Sequence, residues 1–299
     1  MTAANTPFST YRGYVSASEC DQWGHQNTRF YLTKADEAQA SLCSEIGLSP
    51  SWLSRRNAAM VLRRNRILFK HELRAGDAID VRSGVREARG SSLRFFHLLY
   101  KTPDTESALF ECEAGLIDVG SDAPIELPRA VTSRAAELFV SDATLPQPAP
   151  LRFPRPPTVT PSQAILSHSG TIEPWEHDDA GLTPPQFLIP RFSGAMTQVL
   201  AHLGLSRAKL LSRHIGCAAL DSAFEHPMLL RPGQSIEIRT GILDVGRKVL
   251  RVYHHVTDTA SGNIAMMMEV VAVFFDLRTR KSLPMPAEIA SRAKAVVLR

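Results

Sequence analysis

The apolar positions before Leu48 recur with the spacing of one helix face. Five of them, at intervals of four, three, four and four residues, are Tyr31, Ala35, Ala38, Leu42 and Ile46. A stripe with this period is typical of an amphipathic helix that packs on a core. Gly47 follows the stripe, at the place where many helices end in a left-handed glycine. The pattern therefore predicts one long helix that ends near Leu48.

Strand-like patterns flank this helix. One strand is predicted before it, at residues 9–17, and a single helical turn is predicted just after it, near residues 50–53. Turn signals then separate about four antiparallel strands, which are predicted at 59–62 continuing through 67–69, 78–88, 92–101 and 108–119. A further short helix is predicted at 129–141. One long helix buried against a strongly curved antiparallel sheet is an α+β arrangement.

The second half of the chain repeats this layout at an offset of 157 residues, as between Asp21 and Asp178. The same offset joins Glu19 with Glu176, Gly24 with Gly181, Phe30 with Phe187, Gly47 with Gly204, Arg82 with Arg239 and His97 with His254. The helical stripe recurs as Leu188, Phe192, Ala195, Val199 and Leu203. A fixed register over such a length indicates two homologous units, each of domain size.

The predicted second unit has its helix at 186–204 and strands at 167–173, 215–225, 234–245, 248–258 and 264–277. We therefore predict domains at 1–128 and 162–299, joined by a linker at 129–161 that is rich in proline from residue 146 onward. Exposed sheet edges favour pairing. The tandem is accordingly expected to form an intramolecular dimer.

Composition narrows the class of protein. The chain has 299 residues, of which 44% are hydrophobic and 21% charged, and this is typical of a soluble globular protein. No apolar run is long enough to span a membrane and the first ten residues lack a signal-peptide core, so a cytoplasmic, membrane-free location is expected. The net charge of +4 suits an anionic small molecule or carrier. There is no basic, aromatic-interleaved run to indicate nucleic acid, and no CxxC pair to indicate zinc.

Candidate chemistry concentrates in the loop before the first helix. Asp21, His25 and Asn27 lie within seven residues, on a loop that contains Gly24. A helix N-terminus offers unpaired N–H groups and a partial positive charge that polarise a carbonyl, and a neighbouring aspartate supplies a base or a nucleophile. In the second unit Leu182 and Pro184 occupy the positions of His25 and Asn27. One complete and one degenerate site are therefore predicted.

The stretch Asp21-Gln22-Trp23-Gly24-His25-Gln26-Asn27, followed by Phe30-Tyr31, matches the D-x-x-G-H-x-N…Y signature of 4-hydroxybenzoyl-CoA and acyl-acyl-carrier-protein thioesterases. The chain thus resembles the hotdog-fold thioesterases, with two tandem hotdog units. The resemblance implies that Asp21 is the catalytic carboxylate and that His25 and Asn27 orient water or the thioester. It also implies that Trp23, Gly24 and Tyr31 contact substrate, that backbone N–H groups near residues 24–27 bind the thioester oxygen, and that the second unit lines the acyl pocket.

The expected activity is hydrolysis of an acyl-CoA or an acyl carrier protein thioester to free acid and thiol. No cofactor is expected beyond coenzyme A or the carrier as part of the substrate, and the tandem is a candidate homodimer. Two alternatives stay open. The first is an enoyl-thioester hydratase or dehydratase of the same fold, a family whose aspartate and histidine are spaced as D-x-x-x-x-H. Asp21 and His25 have the spacing D-x-x-x-H, which is one residue shorter. A non-catalytic acyl-thioester-binding protein would lack the intact motif.

Several of these residues also have simpler roles. Asp21 and Asn27 are residue types that commonly cap helices. Glu37 is expected on a solvated helix face. His97 and His254, which lie mid-strand in both units, are expected to share a structural role, and Asp178 is expected to shape its loop.

Overall fold

The computed structural model describes residues 6–141 and 164–298. The chain divides into two compact units, Met1–Arg152 and Phe153–Arg299. The exact domain boundaries predicted from the sequence stay predictions, and the proline-rich stretch at 146–161 lies outside the described residues. The predicted pairing of the two units also stays a prediction.

Within its described residues, the first unit contains five strands and three α-helices. In chain order these are β1 (Phe8–Tyr14), α1 (Thr28–Glu45), α2 (Pro50–Arg55), β2 (Ala58–Phe69), β3 (Ala78–Arg89), β4 (Ser92–Lys101), β5 (Thr105–Asp118) and α3 (Arg129–Glu137). The strands form an antiparallel sheet in the order β1-β3-β4-β5-β2. Helix α1 lies against β1 and β3.

The second unit repeats this topology. Its elements are β6 (Ile165–Thr171), α4 (Ile189–His202), α5 (Arg207–Ser212), β7 (Ile215–Glu225), β8 (Ser235–Val245), β9 (Val249–Asp258), β10 (Ile264–Asp276) and α6 (Ala287–Ala295). The sheet order is β6-β8-β9-β10-β7, again antiparallel, and α4 lies against β6 and β8. The predicted strands and both long helices are confirmed, whereas α5 and α6 were not predicted.

The two apolar stripes form the helical side of each core. In α1 the five stripe residues are at most 6% exposed, and in α4 with its flanking residues they are at most 3% exposed. Helix α1 ends as predicted: Gly47 has φ +95°, and the Leu48 N–H donates to the Cys43 carbonyl at 2.8 Å. This is a Schellman cap. The second unit repeats it, with Leu205 donating to Leu200 at 2.8 Å.

Each sheet buries one histidine against a hydroxyl group. His97 Nδ1 lies 2.6 Å from Ser83 Oγ, and His254 Nδ1 lies 2.8 Å from Thr240 Oγ1. Burial lowers the pKa of each imidazole to about 3, and for His254 the neighbouring His255 adds to the effect. Both rings are therefore neutral core groups at ordinary pH, which supports a shared structural role. No helix in the described chain is long and apolar enough to cross a membrane.

Candidate active site

The loop between β1 and α1 holds Asp21 by its own backbone. Asp21 Oδ1 accepts the Trp23 N–H at 2.8 Å, and the Asp21 N–H donates to the His25 carbonyl at 2.9 Å. The Gly24 N–H donates to the Asp21 carbonyl at 3.0 Å, and Gly24 has φ +77°, a conformation that favours glycine. Two of these hydrogen bonds fix the Asp21 backbone and the third holds Oδ1, so Oδ2 is the carboxylate oxygen that faces away from these contacts.

Asp21 Oδ2 faces an imidazole. It lies 3.2 Å from His25 Nε2, and the two side chains are 21% and 14% exposed. The other ring nitrogen, Nδ1, lies 3.6 Å from Glu72 Oε2. Glu72 Oε1 in turn accepts from Arg74 Nη2 at 2.5 Å. The structure therefore brings together Asp21 and His25, as predicted, and adds Glu72 and Arg74, which the sequence analysis missed.

Asn27 begins the helix. Its Oδ1 accepts the Arg29 N–H at 2.9 Å, so the side chain is the N-cap of α1. Trp23, whose N–H donates to Asp21 Oδ1, has a half-buried side chain, and the prediction that Trp23 and Gly24 contact substrate stays a prediction.

Tyr31 lies beneath the loop, in the core. The side chain is 4% exposed, and its hydroxyl lies 3.4 Å from Ser107 Oγ. The ring meets Phe69 edge to face. Burial raises the pKa of Tyr31 to about 12, against the opposing effect of the Ser107 hydrogen bond. These contacts show a packing role, and a substrate contact for Tyr31 stays a prediction.

The backbone amides of this loop are largely engaged. Besides Gly24, the Gln26 N–H donates to the Leu73 carbonyl at 2.7 Å and the Asn27 N–H donates to the Glu19 carbonyl at 2.9 Å. Each of these three N–H groups therefore already has an acceptor, and the binding of the thioester oxygen by backbone N–H groups near residues 24–27 stays a prediction. Within the described part of the chain, the Thr28 N–H at the first position of α1 has no acceptor.

A buried ion pair supports the loop from below. Lys34 Nζ lies 2.7 and 2.8 Å from the two Glu19 carboxylate oxygens, and the Lys34 side chain is only 3% exposed. Glu19 Oε2 also accepts from Gln26 Nε2 and from the Ser16 N–H, both at 3.2 Å. The exposed Glu37 is a solvated helix residue, as expected. Among residues 6–141 and 164–298, no cluster of His, Cys, Asp and Glu could hold a metal ion.

The equivalent loop of the second unit keeps the backbone hydrogen bonds but has Leu182 and Pro184 at the positions of His25 and Asn27, with His177 and Asp179 flanking Asp178. Asp178 Oδ1 accepts the N–H groups of Ala180 and Leu182 at 2.9 and 3.0 Å. Burial raises the pKa of the Asp178 carboxyl, while these two bonds oppose the shift. Leu182, at the position of His25, is 3% exposed. The ion pair recurs between Glu176 and Arg191 at 2.7 Å.

A family model described as the thioesterase-like superfamily matches residues 15–135 and 172–293. The chain belongs to this superfamily. The two matched segments fall one in each unit, so the internal repeat is a repeat of one family domain.

Among curated relatives, a betainyl-CoA thioesterase of Pseudomonas aeruginosa is 24% identical over 45% of this chain and 85% of its own length. A chloroplastic acyl-acyl carrier protein thioesterase of Arabidopsis thaliana is 24% identical over 42% of this chain and 65% of its own length. Among solved structures, an acyl-ACP thioesterase from Bacteroides thetaiotaomicron superposes with a TM-score of 0.65 at 13% identity, covering 88% of this chain and 96% of that one. The predicted tandem hotdog fold is confirmed.

Proposed function

We propose that the protein hydrolyses an acyl thioester, carried by coenzyme A or an acyl carrier protein, to a free acid and a thiol. The observation that carries this proposal is the Asp21 carboxylate at the start of α1, with Oδ1 held by the loop and Oδ2 at the His25 ring. The relatives named above include one thioesterase of each substrate class. They support thioester hydrolysis, and the choice between the two carriers is left to the experiment.

The thioester carbonyl would lie at the N-terminus of α1. Its oxygen would accept the Thr28 N–H, and the partial positive charge of the helix end would stabilise the negative charge that develops on this oxygen. In other enzymes, loss of one such donor costs about 3–4 kcal/mol of transition-state stabilisation. Asn27 contributes by capping the helix, which fixes where its first N–H groups point.

Asp21 Oδ2 then has two routes to the same products. As a base, it accepts a proton from water as the water oxygen attacks the carbonyl carbon; the C–S bond breaks and the leaving thiolate takes up the proton. As a nucleophile, Oδ2 attacks the carbonyl carbon itself, the thiolate leaves, and water hydrolyses the resulting anhydride. In both routes His25, at 3.2 Å, orients the carboxylate.

The first test is release of free thiol from acyl-, aryl- and enoyl-CoA and from acyl carrier protein thioesters. Asp21→Asn is expected to lower kcat by about 10²–10⁴-fold, the usual contribution of a general acid or base. Asp178→Asn is the matched control, because Asp178 occupies the same loop position where Leu182 replaces His25. Equal activity of wild type and Asp21→Asn would contradict the proposal. A change in enoyl absorbance without thiol release would favour a hydratase instead, and ligand binding without any reaction would favour a binding protein.

A second test separates the two routes. In a single turnover in H₂¹⁸O, the base route places the label in the product acid. The nucleophile route places it in the Asp21 carboxylate, when water attacks the anhydride at the Asp21 carbonyl. Mass spectrometry of the peptide that contains Asp21 measures the difference, with the equivalent peptide around Asp178 as an internal control.

A further inference from the structure

We propose that Glu72 is a positioning residue of this site, which fixes the His25 ring in the plane that brings Nε2 to Asp21. Its consequence for kcat rests on the proposed function, but the ring orientation itself is measurable without turnover. Sequence spacing gives no hint of it, since Glu72 follows Asp21 by more than fifty residues.

The geometry is that of an imidazole between two carboxylates. His25 Nε2 lies 3.2 Å from Asp21 Oδ2 and Nδ1 lies 3.6 Å from Glu72 Oε2, so each ring nitrogen faces an acidic oxygen. Rotation about the bond to the ring would move both nitrogens away from these oxygens. The partner of one ring nitrogen commonly sets the orientation and tautomer of a functional histidine. Glu72 stands in that relation to His25.

Glu72 is itself held in place from three sides. Arg74 contacts Glu72 Oε1 through Nη2 at 2.5 Å and Nε at 3.2 Å. At the preceding residue, the His71 carbonyl accepts a hydrogen bond from the Ser107 hydroxyl group at 2.6 Å, which joins the segment to β5. On the following residue, the Leu73 carbonyl accepts the Gln26 N–H at 2.7 Å, which ties it to the loop that carries His25.

The second unit has the same backbone contact between these segments but lacks the carboxylate. There the Thr183 N–H donates to the Leu230 carbonyl at 2.8 Å, so the tie between the two segments is the same. Yet Leu229 stands at the position of Glu72, and Leu182 stands at the position of His25. The carboxylate is therefore not needed to join the segments, and it is absent from the unit that lacks the imidazole.

The test compares Glu72→Gln with Glu106→Gln in the full chain. Glu106 is the matched control, because it is a glutamate near the same end of β2 whose carboxylate pairs with Lys70 Nζ at 2.6 Å. The first readout is the ¹H–¹⁵N signals of the histidine rings, with His25 assigned by its loss in His25→Gln. Glu72→Gln is expected to shift the His25 ring signals, and Glu106→Gln to leave them in place.

The second readout is kinetic. A misplaced catalytic group can cost up to about 100-fold in rate, so Glu72→Gln, which acts on Asp21 only through His25, is expected to lower kcat by about tenfold with little change in KM. Glu72→Asp, which keeps the charge, is expected to recover part of this loss. Arg74→Gln, which releases Glu72 without removing it, is expected to shift the His25 signals in the same direction.

The outcomes separate the two proposals. Suppose that thiol release by the wild type depends on Asp21. Then a Glu72→Gln variant with unmoved His25 signals and an unchanged kcat would overturn the positioning role and leave the proposed function standing. Shifted His25 signals in a protein that releases no thiol would support the positioning role while overturning the proposed function. An equal fall of kcat in Glu72→Gln and Glu106→Gln would also overturn the positioning role.

Discussion

The two motif loops of this chain share a scaffold and differ in chemistry. Both close on an aspartate whose Oδ1 accepts backbone N–H groups, and both contain a glycine of positive φ. Both rest on a buried ion pair, formed by Lys34 in the first unit and Arg191 in the second. In the first loop the aspartate faces the His25 ring, which is in turn faced by Glu72. The second loop has leucine at both corresponding positions, and the charged neighbours of Asp178 are its flanking residues His177 and Asp179.

This comparison separates what the loop needs to fold from what it needs to act. Since the second loop forms with Leu182 and Pro184, the backbone does not require a histidine or an asparagine at these positions. Leu182 is 3% exposed, so that loop position is compatible with a core side chain. The polar groups of the first loop are thus additions to a scaffold that folds without them, and this is the pattern expected of functional residues.

The largest expected effect concerns the ion pair that the loops share. Lys34→Met leaves the Glu19 carboxylate without its buried cation, and breaking a buried pair in this way costs about 3–5 kcal/mol of unfolding free energy. Lys34→Arg introduces the residue type that forms this ion pair in the second unit, Arg191, and its unfolding free energy is expected to stay within about 1 kcal/mol of wild type. Chemical denaturation measures both. If Lys34→Met were as stable as wild type, the pair would not support the loop.

The second prediction replaces a residue of the first loop by its counterpart. His25→Leu is expected to lower kcat for thiol release by about 100-fold, because the Asp21 carboxylate loses the ring that orients it and a misplaced catalytic group can cost this much. Its melting temperature should change little, because the second loop already accommodates leucine there. The reciprocal Leu182→His places an imidazole at a site that is 3% exposed and is expected to lose about 1–3 kcal/mol of stability. Full activity of His25→Leu would remove the distinction between the loops.

In a third respect the units should behave alike. The pKa of His97 and of His254 is about 3 in the folded protein and about 6.5 in the unfolded chain. Below pH 6.5 the unfolded chain therefore binds protons that the folded protein does not. Above pH 6.5 neither histidine makes the free energy of unfolding depend on pH. Between pH 6.5 and about 3, each histidine lowers the free energy of unfolding by about 1.4 kcal/mol for every unit by which the pH falls.

Urea unfolding between pH 6 and 5 measures this slope. His97→Gln and His254→Gln should each reduce it by a similar amount, because the two rings have matching hydroxyl partners and matching burial. Carboxylates also contribute to the slope in this range, so each variant is compared with wild type at the same pH. A variant whose slope equals that of wild type would show that its histidine is protonated in the folded protein.

Most of the fold was predictable because its signals are local and occur twice. The apolar stripes predicted both long helices, and turn signals predicted the strands to within a few residues. Helix α6 was missed even though α3 was predicted, because the repeat loses its 157-residue register after His97 and the counterpart of α3 lies one residue further on. The short α5 lacks a stripe long enough to show a period.

The site was predictable only where it is contiguous. Asp21, His25 and Asn27 share one loop, so spacing alone brought them together. Glu72 reaches His25 through the tertiary fold, and its only sequence signal is the contrast with Leu229 across the repeat. The engaged amides of the loop depend on which carbonyls approach them, and residue types do not encode this.

The smallest expected effect compares the helix caps. Gly47 and Gly204 both have positive φ, so an alanine at either position costs about 1 kcal/mol from backbone strain. At Gly47 the added methyl group meets only Val131 at 3.9 Å, but at Gly204 it would lie 2.0 Å from Arg292 Nη1. Arg292 must then give up its 3.1 Å hydrogen bond to the Leu203 carbonyl, which adds about 1 kcal/mol. Gly204→Ala is therefore expected to be the more destabilising substitution, and prior removal of the Arg292 side chain should abolish the difference. Equal costs in the wild-type background would show that Arg292 moves aside freely.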